Sequence, residues 1–447
     1  MAKNSDTITA IATPTGRGGI GIVRVSGNKT KKIFQLLTGL SPKARIAQYA
    51  SFKSSDQKII DKGIAIYFSS PASYTGEDIM ECHAHGNRIV LGLLLDEILS
   101  LGARLARPGE FTERAFLNDK IDLLQAEAIA DLINSNSKKA ARSAIQSLSG
   151  IFSEKIKDLR GRVFNAKVLI EAAIDFPEEE GVIIDTLPAS SEIQICLDAL
   201  NELILQAKAG RILDQNLSIV IAGRPNAGKS SVLNHLSGFD SAIVTATPGT
   251  TRDVIKERML LGDYAVTFFD TAGIRETEDE VEQAGIDKAN EALAIADIVL
   301  YVHDNTIAMP NLHADFSEHI SPDAKVIIVR NKIDLSNENN FTNSEREVYV
   351  SVKTGVGMSK LVEVICHHLN IVENEEDLIF SRQRHLEDLH KIMKSLKRVL
   401  SNIKKGAGLE IQAESLRLCL SGFDSLTGET TSDDVLGAVF SKFCIGK

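Results

Sequence analysis

Cysteine is scarce in this sequence, and the few cysteines present form no C-x-x-C pair. The five positions are odd in number and lie far apart along the chain: Cys82, Cys196, Cys366, Cys419 and Cys444. That spacing argues against a disulfide framework. Residues 82–85 and 366–368 carry side chains that could ligate a metal, but neither run has the complementary second pair of a zinc site. We therefore expect both runs to be structural.

The sequence also lacks a long apolar run and an excess of positive charge. No stretch of about 18 apolar residues occurs, which argues against a membrane-spanning helix. The N-terminal MAKNSDTITA is not a hydrophobic signal segment, so we expect a cytoplasmic protein that does not bind membranes. The formal net charge of −10 argues against indiscriminate nucleic-acid binding, because such affinity comes mostly from phosphate neutralisation. Any RNA contact would need a local basic patch.

What the sequence does have is enough length and apolar material for two to four domains, with 447 residues of which 43% are apolar. Strands are predicted first, at 7–12, 19–25, 62–68 and 78–85, with helices at 28–38 and 89–101. Amphipathic helices of a bundle are then predicted from a 3.6-residue period at 123–134, 140–148, 151–174, 191–209 and 385–403.

One glycine pattern near the N-terminus could mislead. Gly16-x-Gly18-x-x-Gly21 fits the dinucleotide-binding fingerprint letter for letter. That fingerprint has to open a helix, whereas residues 19–25 alternate and are rich in β-branched side chains. The pattern therefore favours a tight turn between two strands over a dinucleotide site.

The most informative stretch is GRPNAGKSS, from Gly223 to Ser231, which fits the phosphate-binding loop G-x-x-x-x-G-K-[ST]. An apolar strand is predicted before it at 217–222, and a helix after it at 231–236. Glycines let backbone N–H groups point at phosphate oxygens, and the helix adds the positive end of its dipole. Lys229 is expected to reach the terminal phosphates, and Ser230 is expected to ligate Mg²⁺.

Further nucleotide motifs follow in order. Asp270-Thr-Ala-Gly273 is a D-x-x-G motif after a predicted strand, and residues 245–253 before it have the composition of a first switch. Asn331-Lys-Ile-Asp334 is an N-K-x-D motif. The Asp334 carboxylate can accept both N–H donors of the guanine Watson–Crick edge, which selects GTP over ATP. Residues 351–355 would then bring a backbone N–H to the guanine carbonyl.

Three residues of these motifs are unusual. Ile274 follows D-x-x-G directly, where small signalling GTPases carry the glutamine that orients the attacking water. Val352 stands where related motifs carry alanine, which matters little to a backbone contact. Asn226 could hold a monovalent cation in place of an arginine finger, or it could make only a loop-stabilising hydrogen bond. An aliphatic side chain cannot polarise water, so the catalytic group must come from a partner or from switch II, where the candidates are Arg275, Glu276, Glu278, Asp279, Glu280 and Glu282.

Several shorter runs complete the pattern: GIVRVSG at 21–27, RPGEF at 107–111, NDK at 118–120, QAEAIADL at 125–132, GTTRD at 249–253 and CIGK at 444–447. With the phosphate loop, they resemble the MnmE (TrmE) family of tRNA-uridine-modifying GTPases almost end to end. The position of the strand-alternating region between two helical stretches independently suggests an inserted nucleotide domain. The resemblance implies an N-terminal α+β folate-binding and dimerisation domain at 1–118, a helical domain at 119–212 and 376–447, and an inserted Ras-like P-loop GTPase domain with a mostly parallel sheet at 213–375.

The resemblance also implies an activity and partners. The family hydrolyses GTP in a potassium-dependent reaction and works with an FAD-dependent MnmG/GidA-like protein, as a homodimer within a heterotetramer. Together the two proteins add an aminomethyl or carboxymethylaminomethyl group to carbon 5 of the wobble uridine of certain tRNAs. The one-carbon unit would come from 5,10-methylene- or 5-formyl-tetrahydrofolate.

Site residues carry over position by position. The resemblance places potassium ligands at Asn226, Thr245, Thr247 and Thr250, magnesium ligands at Ser230 and Thr251, and a water-orienting glutamate at Glu282. Folate contacts fall on Arg24, Glu81, Lys120 and Lys447, with Arg24 and Lys120 suited to the glutamate tail and Glu81 to the pterin. Cys444 is implied to be a functional cysteine, although a free thiol without a role is the other interpretation. The GTP site comprises Asn226, Ala227, Gly228, Lys229, Ser230, Ser231, Thr245, Thr250, Thr251, Asp270, Thr271, Ala272, Gly273, Asn331, Lys332, Asp334, Ser351, Val352 and Lys353.

Two questions stay open at this point. Basic residues cluster at 138–142 and again between 382 and 398, and they form either a solvated helix face or a contact with tRNA or the flavoprotein. A regulatory GTPase of ribosome assembly would use the same nucleotide motifs, but it should carry a compact RNA-binding tail in place of the folate-like domain and the terminal CIGK.

Overall fold

The computed structural model describes residues 6–14, 16–135, 137–175, 187–214, 217–237, 255–261, 264–270, 292–309, 320–321, 324–336, 343–368, 382–430, 433–441, 443 and 446. The chain divides into two compact units. Unit 1 comprises residues 1–133, 147–200 and 388–447, and unit 2 comprises residues 134–146 and 201–387. The segment boundaries expected at 118, 212 and 375 stay predictions.

Unit 1 begins with a six-stranded sheet whose strand order is β3-β4-β5-β2-β1-β6. Its strands are Ile8–Ile11 (β1), Gly18–Ser26 (β2), Gln48–Lys53 (β3), Ile59–Phe68 (β4), Ile79–Gly86 (β5) and Arg104–Leu105 (β6). Neighbouring strands are antiparallel except β1 and β6, which are parallel. Because β2 starts at Gly18, the glycine pattern at 16–21 enters a strand and not a helix, which confirms the prediction.

Two helices, Thr30–Thr38 (α1) and Arg88–Ser100 (α2), pack on this sheet. Val23 of β2 and Cys82 of β5 are buried with residues of both helices. Side chains alternate between the two faces of a strand, so Arg24 and Glu81 lie on the opposite face. On that face β1 packs against Phe111 of a short third helix, Glu110–Leu117 (α3).

The remaining helices span most of the rest of the described chain. They are Leu123–Asn134 (α4), Lys138–Leu148 (α5), Ile151–Asp175 (α6), Leu187–Asp214 (α7), Lys229–Ser237 (α8), Met358–His368 (α9), Gln383–Lys404 (α10), Leu409–Thr427 (α11) and Asp433–Phe440 (α12). Within unit 1, α6 and α11 pack along each other, and an ion pair of 2.5 Å joins Arg160 Nε to Asp424 Oδ1. Hydrophobic residues of α4 and α12 share a further small core.

Unit 2 contains a second six-stranded sheet, with strand order β12-β11-β10-β7-β9-β8. Its strands are Leu217–Ala222 (β7), Ile255–Leu261 (β8), Tyr264–Asp270 (β9), Ile298–Asp304 (β10), Lys325–Asn331 (β11) and Glu347–Tyr349 (β12). All neighbours are parallel except β8 and β9. The expected fold class is confirmed. The chain has an α+β N-terminal part, a helical part, and a mostly parallel sheet whose strand β7 leads through the phosphate loop into α8. Among the described helices, none combines the length and apolarity needed to cross a bilayer.

Candidate functional site

The phosphate loop leaves β7 at the carboxyl end of the sheet and runs directly into α8. Two of its glycines cannot be replaced by a larger residue. A Cβ on Gly223 would lie 2.2 Å from the Val302 carbonyl oxygen, and a Cβ on Gly228 would lie 2.3 Å from Asn331 Nδ2. Both glycines also have positive φ, at 144° and 96°. The loop is therefore held tightly against β10 and the end of β11.

Lys229 is the first residue of α8 and is only 8% exposed. Its Nζ donates to the carbonyl oxygens of Gly223 at 2.8 Å and Arg224 at 3.0 Å. The ammonium group is thus folded into the curve of the loop, next to the amino end of the helix. Two exposed hydroxyl residues, Ser230 and Ser231, follow in the first turn.

Asn226 adopts a left-handed backbone conformation, with φ of 62°. Its side chain is exposed, and no described residue hydrogen bonds to it. The loop-stabilising hydrogen bond considered from the sequence is therefore absent among the described residues. The amide oxygen is free of those partners and suits a monovalent cation, which prefers neutral oxygen ligands.

Asn331, at the end of β11, connects the phosphate loop to the loop at 351–355. Its Nδ2 donates to the Ala227 carbonyl oxygen at 3.0 Å, and its Oδ1 accepts from the Val352 N–H at 3.3 Å. The side chain is 3% exposed. A single buried amide therefore holds both loops in register.

Asp334 is oriented by the same loop. Ser351 Oγ donates to Asp334 Oδ1 at 2.7 Å, and Ser351 Oγ in turn accepts from the Thr354 N–H at 3.2 Å. Ser351 itself is fully buried. Ser351 thus fixes one carboxylate oxygen of Asp334, and the remaining lone pairs of the carboxylate can accept hydrogen bonds from a base.

Lys332 has a left-handed backbone conformation, and its Nζ lies 2.6 Å from Oδ2 of Asp304, the last residue of β10. Burial alone would raise the pKa of Asp304, but hydrogen bonds from Lys332 and Thr306 outweigh it and lower the pKa to about 2. Because this pKa lies below the usual 3.8, the pair stabilises the fold fully above about pH 4 and loses its contribution as the pH falls towards 2. Asp304 was not singled out from the sequence.

Several of the residues expected at this site lie outside the described part of the chain, and for one of them only the backbone is described. These are Thr245, Thr247, Thr250, Thr251, Asp270, Thr271, Ala272, Gly273, Ile274 and Glu282. The backbone of Asp270 is described as the end of β9, paired with Ile221 of β7, which places it at the same edge as the phosphate loop.

A second cluster lies in unit 1, on the face of the first sheet that carries Arg24 and Glu81. Arg24 Nη2 lies 2.8 Å from Glu81 Oε1, and Arg24 Nε donates to the same oxygen at 2.9 Å. His83 Nε2 lies 3.3 Å from Glu81 Oε2. Arg24 and Glu81 are thus directly paired on one face of the sheet. Their assignment to the tail and the pterin of folate stays a prediction.

Two aromatic rings flank the Arg24 guanidinium and were missed from the sequence. The centroids of the Tyr74 and Phe111 rings both lie 5.7 Å from Arg24 Cζ. Tyr74 is anchored by a 2.8 Å hydrogen bond between its hydroxyl and that of Thr112. Only the three-dimensional fold reveals this arrangement, because Tyr74 lies in a loop and Phe111 lies in α3.

A buried ionic cluster holds α3 in this position. Arg114 is 2% exposed and lies 2.7 Å from Asp6, 3.1 Å from Glu77 and 3.1 Å from Glu110. Ser26 Oγ donates to Glu77 at 2.7 Å. The cluster ties the strand that bears Arg24 to the elements that bear the two rings.

Of the other expected folate residues, Lys120 is exposed beside the loop that carries Tyr74. A Cβ on Gly76 would lie 3.3 Å from Lys120 Cδ. Lys447 and Cys444 lie outside the described residues, but their neighbour Gly446 is buried, and a Cβ on it would lie 2.4 Å from the Ile11 carbonyl oxygen. Gly446 therefore lies at the end of β1, one strand from Arg24. Among the described residues, no group of three or more His, Cys, Asp or Glu side chains could hold a metal ion.

Comparison with known proteins agrees with this architecture. Residues 7–120 match the family model described as the GTP-binding protein TrmE N-terminus, and residues 123–444 match the MnmE helical domain. Relatives named tRNA modification GTPase MnmE include one from Shewanella baltica (strain OS195), 43% identical over 99% of this chain and 100% of its own length. Another, from Nitrosomonas eutropha, is 44% identical over 100% of both chains.

Two solved structures align with shorter parts of the chain. One is a single-residue variant of Era from Aquifex aeolicus bound to GDP.AlF4-, which is 26% identical, with 40% of this chain and 65% of that chain covered and a TM-score of 0.28. The other is the G domain of the T. maritima FeoB iron transporter, 23% identical, with coverages of 34% and 98% and a TM-score of 0.26.

The full-length relatives and the two family models decide the assignment. The chain belongs to the MnmE family of tRNA modification GTPases, and it is a GTP hydrolase that acts in tRNA modification.

Proposed function

We propose that this enzyme is a potassium-dependent GTPase that works with an FAD-dependent MnmG/GidA-like partner. The two proteins would add an aminomethyl or carboxymethylaminomethyl group to carbon 5 of the wobble uridine, using a tetrahydrofolate one-carbon unit. The observation that carries the proposal is the presence of two separate sites in one chain: Asn331 joins a phosphate loop to a base-reading loop, and Glu81 lies between Arg24 and His83.

Guanine recognition rests on Asp334. Its carboxylate can accept both N–H donors of the guanine edge, whereas adenine does not offer that pair of donors in the same arrangement. Because Ser351 holds one of its oxygens, little orientational freedom has to be lost on binding. Lys332 stands two positions before Asp334, and its ammonium group is anchored at Asp304. The aliphatic part of the Lys332 side chain would flank the base.

The triphosphate would be held by the loop and α8. Backbone N–H groups of the loop and the amino end of the helix attract anionic oxygens, and the Lys229 ammonium is already on the inner side of the loop. Ser230, in the first turn, and Thr251 are the proposed magnesium ligands. Mg²⁺ bound there would offset the charge on the terminal phosphates.

Asn226 fits the proposed potassium site, with Thr245, Thr247 and Thr250 as its companions. Its amide oxygen is exposed and has no partner among the described residues. A monovalent cation at this position supplies the positive charge that an arginine finger supplies in other GTPases. Glu282 would orient the attacking water, since Ile274 cannot.

This mechanism is tested by GTP turnover in KCl and in NaCl. We expect much faster hydrolysis in KCl, and we expect Asn226→Ala to remove most of that difference. Asn201→Ala is a matched control, because Asn201 is an exposed asparagine of the same unit, lies in α7, and its side chain has no hydrogen-bond partner among the described residues. Equal rates in the two salts for the wild-type protein would contradict the potassium mechanism.

The folate site is proposed at Arg24, Glu81, Lys120 and Lys447. Glu81 has the acceptor oxygens that the N–H donors of a pterin require, and the partly exposed Tyr74 provides apolar surface beside Arg24, while the buried Phe111 supports the Arg24 guanidinium. A reduced folate bound there supplies the one-carbon unit. Arg24 and Lys120 are the available cations for carboxylate groups of the ligand.

We also propose that the protein acts as a homodimer, joins its partner in a heterotetramer and works in the cytoplasm. The chemistry on tRNA is tested by mass spectrometry of wobble nucleosides from cells that lack this protein. We expect the 5-aminomethyl and 5-carboxymethylaminomethyl uridines to disappear and to return with the wild-type gene but not with Glu81→Ala. Unchanged nucleosides in the deletion strain would contradict the proposed reaction.

A further inference from the structure

Helix α10 carries a strongly basic segment in an otherwise acidic protein. From His390 to Leu409 the sequence contains six lysines and arginines and no aspartate or glutamate: Lys391, Lys394, Lys397, Arg398, Lys404 and Lys405. The whole chain has a formal net charge of −10. Such a concentration of one sign makes this helix the local basic patch that RNA binding requires.

Packing in unit 1 fixes which side of α10 faces outward. Leu389, Ile392, Leu396 and Val399 repeat with helical spacing and are all buried. Ile392 lies against α11, where a Cβ on Gly422 would be only 2.7 Å from Ile392 Cγ1. The basic residues occupy the opposite side and are exposed.

Most of these cations have no intramolecular counter-ion among the described residues. Lys391 pairs with Asp388 at 2.9 Å, while the other five form no ion pair in the part of the chain that the structure describes. Glu387 is the acid at the N-terminal end of this side, and it accepts a 2.8 Å hydrogen bond from Gln383. We call Lys394, Lys397, Arg398, Lys404 and Lys405 the α10 basic face.

The spacing of this face suits a phosphate backbone. Residues three or four apart on a helix have Cβ atoms about 5–6 Å from each other. At a rise of about 1.5 Å per residue, Lys394 and Lys404 are about 15 Å apart along the axis. One nucleic-acid strand presents several successive phosphates over that length.

The composition of the face favours RNA over a protein partner. Protein interfaces have apolar and aromatic centres and are depleted in lysine. Residues 383–405 include no exposed large hydrophobic side chain. We propose that the α10 basic face binds the phosphate backbone of the tRNA substrate, an inference that rests on the proposed action on tRNA.

The proposal is tested by measuring tRNA binding to the full-length protein at several salt concentrations. The test variant is Lys394→Glu, Lys397→Glu, Arg398→Glu. The control variant, Lys31→Glu, Lys32→Glu, Lys43→Glu, changes the net charge by the same amount at exposed lysines of the N-terminal sheet domain. We expect the test variant to lose about tenfold or more in affinity and the slope of log K against log salt to fall by about 3.

GTP hydrolysis without tRNA and the circular dichroism spectrum should stay as in the wild-type protein for both variants, which shows that folding and the nucleotide site are intact. Equal tRNA affinity in the test variant and the wild type would overturn the proposal and leave the face to an acidic protein partner. An equal loss in both variants would also overturn it, because net charge alone would then explain the effect. Absence of tRNA binding by the wild-type protein would contradict the proposed function itself.

Discussion

At the scale of single residues, the nucleotide site depends most on Asn331. Its buried amide makes two hydrogen bonds that face in different directions, one to the phosphate loop and one to the loop at 351–355. Neither bonded atom, the Ala227 carbonyl oxygen nor the Val352 N–H, belongs to a side chain. Substitution of either residue would therefore leave its bonded group in place, whereas loss of the Asn331 amide leaves both groups unpaired.

We expect Asn331→Ala to destabilise unit 2 by about 1–3 kcal/mol and to weaken GTP binding by about tenfold or more, because two buried hydrogen bonds are lost. Asn331→Asp should be at least as damaging, since it keeps the acceptor for Val352 but sets a carboxylate oxygen against the Ala227 carbonyl. Chemical denaturation and nucleotide titration would measure the two effects. Near-normal GTP affinity in both variants would show that the two loops keep their register without this amide.

The sequence predicted which residues belong to the two candidate sites better than it predicted the contacts between them. Lys229, Asn331, Asp334 and Ser351 were recognised because each belongs to a local motif with fixed spacing. The pairing of Arg24 with Glu81 was not recognised, because it depends on the register of two strands 57 positions apart in sequence. Side chains brought together across a sheet leave no local signal in the sequence.

At the scale of secondary-structure elements, the packing of helices depends on which glycines face a neighbour. Gly422 in α11 lies where α10 crosses closely, so a methyl group there would lie 2.7 Å from Ile392 Cγ1. Gly161 in α6 is also inside a helix, but a Cβ on it would meet no atom within 4 Å. The two positions have the same local preference for alanine and differ only in their neighbours.

We therefore expect the same substitution to have opposite effects at these two glycines. Gly161→Ala should stabilise the protein by about 0.5–1 kcal/mol through helix propensity. Gly422→Ala should destabilise it by about 1–3 kcal/mol, because overpacking against Ile392 exceeds that gain. Thermal unfolding of the three proteins would measure the difference, and a rise in melting temperature for Gly422→Ala would mean that α10 and α11 separate at little cost.

Elements were predictable from the sequence where a pattern was periodic or ended in a motif. Strands β7 and β9 were identified because each is an apolar run that leads into a nucleotide-binding motif, and α10 was predicted within two residues at each end because its pattern is periodic. The central strand β10 was missed, because a continuous buried run such as Ile298–Asp304 has no alternation and no motif after it. Edge strand β8, whose sequence Ile255–Leu261 is nearly half charged, was also missed because tertiary pairing outweighs its weak propensity.

At the scale of the whole molecule, the C-terminal segment packs against elements near the N-terminus of unit 1. Phe440 and Phe443 are buried with residues of α4, and a Cβ on Gly109 would lie 2.6 Å from the Phe440 carbonyl oxygen. Gly446 then lies against Ile11, the last residue of β1. Because Ile11 pairs with Val23, the neighbour of Arg24, Gly446 lies one strand from the residue proposed to bind folate. Sequence patterns alone could not show this, since the two segments lie at opposite ends of the chain.

Gly446 therefore tests whether the C-terminus completes that site. Its φ of 100° and its distance from Ile11 leave no space for a side chain, so Gly446→Ala should displace the terminal residues, including Lys447. We expect binding of 5-formyl-tetrahydrofolate to weaken by about tenfold or more, measured by titration calorimetry, because a cationic contact to a ligand carboxylate is lost. GTP hydrolysis should be unchanged, since the nucleotide site lies in unit 2.

Gly437→Ala is the matched control, because Gly437 lies in α12, earlier in the same C-terminal segment, and a Cβ there would meet no atom within 4 Å. This variant should bind the folate as the wild type does. If Gly446→Ala also binds normally, the terminal residues have no part in the site. If both variants lose binding, the effect belongs to the packing of α12, since the two substitutions share only their position in the C-terminal segment.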